Sequence, residues 1–141
     1  MIPERIGEKT RVVAANRYAA AAKFRAELRS FLRTSERAAR AVGVTPSQYL
    51  LLLQIAGSDG GEATISALVH KLALTQSAVT ELVQRAEAAG LVARKGSAAD
   101  ARVVHLSLTA DGEERLARIH EVLGPERVQL RRIVDLLDDW H

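Results

Sequence analysis

The sequence predicts a mostly α fold with a small β-wing, a winged helix-turn-helix lobe set between long terminal helices. Three observations predict it. Residues 68–89 read as a helix, a very short link and a second helix. Two strand-like runs, residues 91–95 and 102–108, follow at once around a small polar tip. Long amphipathic stretches, roughly residues 8–42 and 110–140, flank this block. Helix, tight turn, helix and ribbon in that order form an arrangement that lays one short helix in a DNA groove.

The first stretch, to about residue 41, is rich in Ala, Arg and Glu. Phe24, Leu28, Phe31 and Leu32 recur at helical spacing and give it one apolar face. Gly43 is a natural helix stop. Thr45-Pro46-Ser47-Gln48 reads as a capping box with proline in the first turn. It opens a helix whose run Tyr49-Leu50-Leu51-Leu52-Leu53 is apolar nearly all round, so a fully buried helix is expected. Gly57-Ser58-Asp59-Gly60-Gly61 then reads as a loop.

Thr64-Ile65 is expected as a short strand, and Ser66 as the cap of a helix to about Leu72. Ala73-Leu74 links it to the next helix, Gln76 to Ala89, capped by Thr75. Gly90 ends that helix, where a positive φ is expected. The two strand-like runs make a hairpin around residues 96–101. Thr109 is expected to cap a helix to about Leu123. Gly124-Pro125 should break it, and a last helix should run to about Asp139.

With 141 residues, 48% of them hydrophobic, the chain is expected to form a single domain spanning 1–141. No run approaches the roughly 18–20 apolar residues of a membrane span. The N-terminal residues lack the apolar core of a secretory signal. There is no cysteine, which excludes disulfides, thiolate zinc sites and thiol redox sensing. A cytoplasmic location is expected. His70, His105, His120 and His141 are scattered, so neither a metal nor a cofactor is expected. The chain has no phosphate-cradling glycine loop and no cysteine nucleophile, so an enzyme is not expected.

Net charge is only +3, but it is uneven. Residues 1–56 carry ten Lys/Arg against four Asp/Glu, and residues 57–141 carry ten against thirteen. A basic half can face nucleic acid. The arginines of the first stretch fit better as the wet side of a long helix, because charge runs are usually solvated faces.

On the helix from Gln76, the core face is Val79, Leu82, Val83 and Ala86. Thr75, Gln76, Ser77, Thr80, Glu81, Gln84 and Arg85 fall at its start and on its other side. Their amides, hydroxyls and guanidinium can read base edges or hold phosphates. The nearby helix N-terminus favours a phosphate. The ribbon adds Arg94, Lys95 and Arg102, and Arg102 suits the narrow, negative minor groove. Asp100 suits a partner that holds the tip or orients Arg102. The competing reading is a winged-helix protein-interaction module, whose apolar contacts would not weaken steeply with salt.

At this point the sequence resembles the multiple-antibiotic-resistance-regulator family, the MarR-type winged-helix transcription factors. The resemblance rests on Thr45-Pro46-Ser47-Gln48-Tyr49, on residues 67–72, on Gln76-Ser77-Ala78-Val79-Thr80 and on residues 85–92. It closes with Asp100-Ala101-Arg102 and Leu108-Thr109-Ala110-Asp111-Gly112. It implies a homodimeric repressor of double-stranded DNA. Residues 8–42 and 110–140 would be dimerisation helices and residues 45–109 the DNA-binding lobe. Recognition helices about 34–36 Å apart would then read a pseudo-palindrome. The resemblance also implies release by a small aromatic or phenolic effector, for which Phe24, Phe31 and Tyr49 are the candidate contacts. Taken alone, those aromatics fit a core better, because aromatics at helical spacing are usually core. The chain departs from the family at Ala101, where a second arginine is common, and at Glu81, where a basic residue is frequent.

Overall fold

The computed structural model describes the backbone of residues 2–96 and 102–137 and the side chains of residues 16–96 and 102–135. In chain order the elements are α1 (Ile2–Ala41), α2 (Pro46–Ala56), β1 (Glu62–Thr64), α3 (Ile65–Leu72) and α4 (Gln76–Ala88). They continue as β2 (Val92–Gly96), β3 (Val104–Leu108), α5 (Ala110–Val122) and α6 (Gly124–Leu137). Two compact units result, residues 36–122 and residues 1–35 with 123–141. Among the described residues no helix is long and apolar enough to cross a membrane.

The unit of residues 36–122 is built on well-capped helices. Thr45 Oγ1 accepts from the Gln48 N–H at 3.1 Å, and Gln48 Oε1 accepts from the Thr45 N–H at 3.0 Å. That is the capping box expected for α2. The expectation of a helix buried all round is corrected. Gln48, Leu51, Leu52 and Ile55 are buried, whereas Leu50 is 52% exposed and Leu53 is also exposed. The buried set follows i, i+3, i+4, i+7, because a core lying on one side covers only one stripe of a helix.

Two boundaries also differ from expectation. The strand ends at Thr64, one residue early, and Thr64 rather than Ser66 caps α3 by accepting from the Ala67 N–H at 3.1 Å. A threonine already in extended backbone can end a strand and begin a helix at once. Gly124-Pro125 breaks the helical stretch as expected, between α5, which ends at Val122, and α6. It is the first turn of α6, where proline's missing N–H has no intrahelical partner to lose.

The sheet has the order β1-β3-β2 and is antiparallel throughout. Its middle strand buries Leu106. Leu106 joins Leu51, Leu52, Ile55, Leu68, Val79, Val83, Leu91 and Ile119 as the buried core of this unit. Each such side chain contributes about 1.5–3 kcal/mol relative to exposure.

Helix α4 closes at Gly90, whose φ is +75° as expected. The Gly90 N–H donates to the Glu87 carbonyl and the Leu91 N–H to the Ala86 carbonyl, both at 2.9 Å. This pair of bonds satisfies carbonyls that the helix end would leave open. Thr109 then ties the start of α5 to the same point. Its N–H donates to the Leu91 carbonyl at 3.0 Å and its hydroxyl to the Gly90 carbonyl at 2.6 Å. The same hydroxyl accepts from the Gly112 N–H at 3.0 Å, capping α5. Gly112 lies so close to Leu91 that an added Cβ would overlap the Leu91 carbonyl oxygen.

Helix α1 ends in the same manner at Gly43, with φ +73°. The Val42 carbonyl there accepts from Arg115 Nη1 at 2.9 Å, while Arg115 Nε donates to Asp111 Oδ1 at 3.1 Å. A cation at a helix C-terminus is favourable for both the carbonyl and the dipole. In the unit of residues 1–35 and 123–141, Ser35, Leu123 and Ile133 are buried. Tyr18, Leu28, Leu32, Val128 and Val134 are exposed there.

Gly112→Ala is expected to destabilise the protein by about 1–3 kcal/mol, because backbone must move to admit the methyl group. Thermal melting followed by circular dichroism reads this as a lower Tm. An unchanged Tm would show that the contact with Leu91 is not tight in solution.

Candidate nucleic-acid interface

Helix α4 presents two different faces. Val79, Val83 and Ala86 are buried and fix it to the core, with Leu82 half-buried beside them. Gln76, Ser77, Glu81, Gln84 and Arg85 are exposed, and Thr80 is half-buried. They form two adjacent ridges, 76-80-84 and 77-81-85, each at the spacing that aligns side chains along a helix. Thr75 stands at the N-cap, where its hydroxyl accepts from the Ala78 N–H at 3.1 Å. The α3–α4 link turns through Ala73 in left-handed backbone, φ +52°, a conformation that costs an L-residue about 1–2 kcal/mol.

Three basic residues of the lobe stand beside carboxylates. Arg85 Nη2 donates to Glu81 Oε1 at 2.6 Å along α4. Arg94 Nε donates to Glu87 Oε1 at 2.7 Å, which ties the first wing strand to the last turn of α4. Lys95 Nζ stands 3.6 Å from Glu62 Oε1 on β1, and His105 Nδ1 stands 3.9 Å from the other oxygen of Glu62. All these side chains are substantially solvated, so each pair contributes about 0–1 kcal/mol.

Among the described residues, two of the grooves on this unit involve α4 or the wing. One, of about 400 Å3, runs between the start of α2 and α4 and is lined by Thr45, Ser47, Gln48, Leu74, Ala78, Glu81, Leu82 and Arg85. The other, of about 380 Å3, is lined by Thr64, Ile65, Ser66, Arg94, Arg102, Val103 and Val104. The structure thus brings Glu81 and Arg85 to one groove, and Arg94 and Arg102 to another at the start of α3. Lys95 is exposed on the same strand as Arg94. Asp100 lies outside the described residues, as do all of residues 97–101. Phe24 and Phe31 are half-buried on α1, and Tyr49 is half-buried on α2 in the other unit.

Glu62 and Glu87, the carboxylates that hold Lys95 and Arg94, were not singled out by the sequence. Their pairings depend on strand register and on how sharply the chain reverses at Gly90, and no local signal carries either. Arg115 was missed for the same reason, since its carbonyl partner lies 73 residues away.

The family model described as MarR family matches residues 42–103, the span that holds α2 to β2 and the wing tip. The HTH-type transcriptional repressor MdtR of Bacillus subtilis is 31% identical over 97 residues, 69% of this chain and 59% of that protein. The HTH-type transcriptional regulator FarR of Neisseria gonorrhoeae is 31% identical over 105 residues, 67% of this chain and 69% of that protein. The chain therefore spans between about three fifths and seven tenths of the length of these relatives. Among solved structures, a mutant of MarR from E. coli complexed with operator DNA superposes with a TM-score of 0.63. It is 21% identical, the match covers 78% of each chain, and the likeness is one of fold.

Thr75→Ala is expected to cost about 1 kcal/mol of stability through loss of the α4 cap, whereas Thr75→Ser keeps it. Chemical denaturation of the three proteins checks this. Equal stability of the alanine and serine variants would remove the cap from the account.

Proposed function

This chain belongs to the MarR family, and we propose that it is a homodimeric transcriptional repressor that binds a pseudo-palindromic DNA operator. The observation that carries this reading is the juxtaposition on one compact lobe of a polar helix face and a basic wing. The exposed ridges of α4 take the major groove, where Gln76, Ser77, Thr80, Gln84 and Arg85 meet base edges and phosphates. Arg102, with Arg94 in the same groove of the lobe and Lys95 beside it, takes the flanking backbone and the minor groove.

The homodimer is supported by the terminal unit. Leu32 and Val128 are 51% and 53% exposed, and Tyr18, Leu28 and Val134 are exposed with them. Apolar residues gathered on two terminal helices in this way fit burial against a second copy of the same helices. Two lobes also compensate for weak charge. Residues 64–109 carry only five Lys/Arg against three Asp/Glu, too few for tight binding by a single lobe. Release by a small aromatic or phenolic effector is part of the same reading.

Light scattering is expected to give a solution mass twice the 15.3 kDa of the chain, and Leu32→Asp with Val128→Asp to halve it. A wild-type monomer would rule out the dimer. Selection of random DNA by the purified protein at two salt concentrations is expected to enrich an inverted repeat, with affinity falling steeply as salt rises. Arg102→Ala should weaken binding to that repeat by about 1–3 kcal/mol per contact without unfolding the protein. Absence of enrichment by folded protein would favour a protein-interaction module instead.

A further inference from the structure

We propose that Glu81 and Arg85 act together as a reader of one G·C base pair in each half-site, with Glu81 the specificity-determining residue. The inference rests on the reading of α4 as the helix that faces DNA. The two side chains stand one turn apart, and Arg85 Nη2 donates to Glu81 Oε1 at 2.6 Å. They are also open to solvent, 72% exposed for Arg85 and 63% for Glu81. Both line the groove beside α4, where the exposed ridge 77-81-85 is flanked by the polar ridge 76-80-84.

A carboxylate on a DNA-facing helix is repelled by phosphate, so it is suited to base edges rather than to the backbone. An ionised carboxylate only accepts hydrogen bonds. Among major-groove edges the amino groups of cytosine and adenine donate, and a carboxylate suits cytosine N4 because adenine offers an acceptor, N7, beside its amino group. Guanidinium offers five N–H donors in a plane, and the bond to Glu81 uses one of them. The others can meet guanine O6 and N7, the commonest bidentate contact of arginine in the major groove. Guanine O6 and cytosine N4 lie side by side in one base pair, and Arg85 and Glu81 lie side by side on one helix ridge. The ion pair also holds the long arginine side chain in place before DNA arrives, so less rotamer freedom is lost on binding. Alanine or glutamine at position 81 would leave Arg85 able to reach phosphate or any acceptor, and discrimination would drop.

The test is selection of random duplex DNA with wild-type protein, Glu81→Gln and Glu81→Ala. Affinities are then measured for the best wild-type site and for copies in which each G·C pair is exchanged for A·T. One exchange in each half-site is expected to weaken wild type about 5- to 150-fold. Both variants should lose most of that ratio at that position and keep the ratios at the others. Since Glu81 is exposed, both should melt as wild type does. Variants that bind every sequence more tightly by one common factor, with unchanged preferences, would overturn the proposal and leave Glu81 as a repeller of phosphate. The DNA-binding reading would survive that result. If wild type enriches no motif at all, that reading falls and the proposal falls with it.

Discussion

The position of the wing relative to α4 depends on one small knot of backbone. Gly90 turns the chain through left-handed backbone, and the Gly90 and Leu91 carbonyls accept from the hydroxyl and N–H of Thr109. Gly112 completes the knot by letting α5 approach Leu91 more closely than any side chain would allow. The hairpin leaves and returns within these few residues, so both ends of the wing are fastened to the C-terminus of α4. The ion pair of Arg94 with Glu87 adds a side-chain strut across the same corner. Because Leu91, Val92 and Leu106 are also buried there, the knot is anchored in the core and not merely on the surface. A helix face and a ribbon can read adjacent DNA grooves only if their separation is constant, and this corner sets it.

The charge of the lobe is arranged for placement more than for attraction. Arg85, Arg94 and Lys95 each have a carboxylate within reach, so the net field over α4 and the wing is weak. The pairs are exposed and shallow in energy, so a phosphate or a base edge can replace a carboxylate at little cost. In the proposed complex such pairing would orient the arginines before contact and favour specificity over non-specific affinity. Two copies of such a lobe on one duplex would multiply a modest affinity through effective concentration. This is why the exposed apolar residues of the terminal helices matter for the reading as much as the polar face of α4.

Local signals in the sequence carried most of the fold. Thr45 with Gln48, Thr75, Thr109 and the glycines at 43 and 90 are punctuation with a direct mechanical cause, and all sit where the spacing placed them. The polar and apolar sides of α4 were legible from the 3.6-residue period alone. Local signals fall short where two residues can do one job or where burial depends on distant elements. Thr64 and Ser66 are both competent caps, and only the register of β1 against β3 selects Thr64. Four consecutive leucines in α2 cannot reveal which of them meet the core, since every phase of the helix is apolar. Gly112 was legible as part of a family pattern. Its physical reason, contact with Leu91, needs the folded corner. The ion-pair partners Glu62 and Glu87 were illegible because no local period links them to Lys95 and Arg94.

In the proposed complex, two α4 helices face one side of a DNA duplex at the spacing of one helical turn. Because the chain has no cysteine, a single Ala88→Cys substitution, at the exposed end of α4, places one spin label in each copy. Pulsed electron resonance then measures the separation of the labels with and without a selected DNA fragment. With DNA, a narrow distribution within about 30–45 Å is expected, one turn of the duplex allowing for the reach of the labels. A broad distribution on DNA, a separation far outside that range, or no dipolar signal at all would contradict the account.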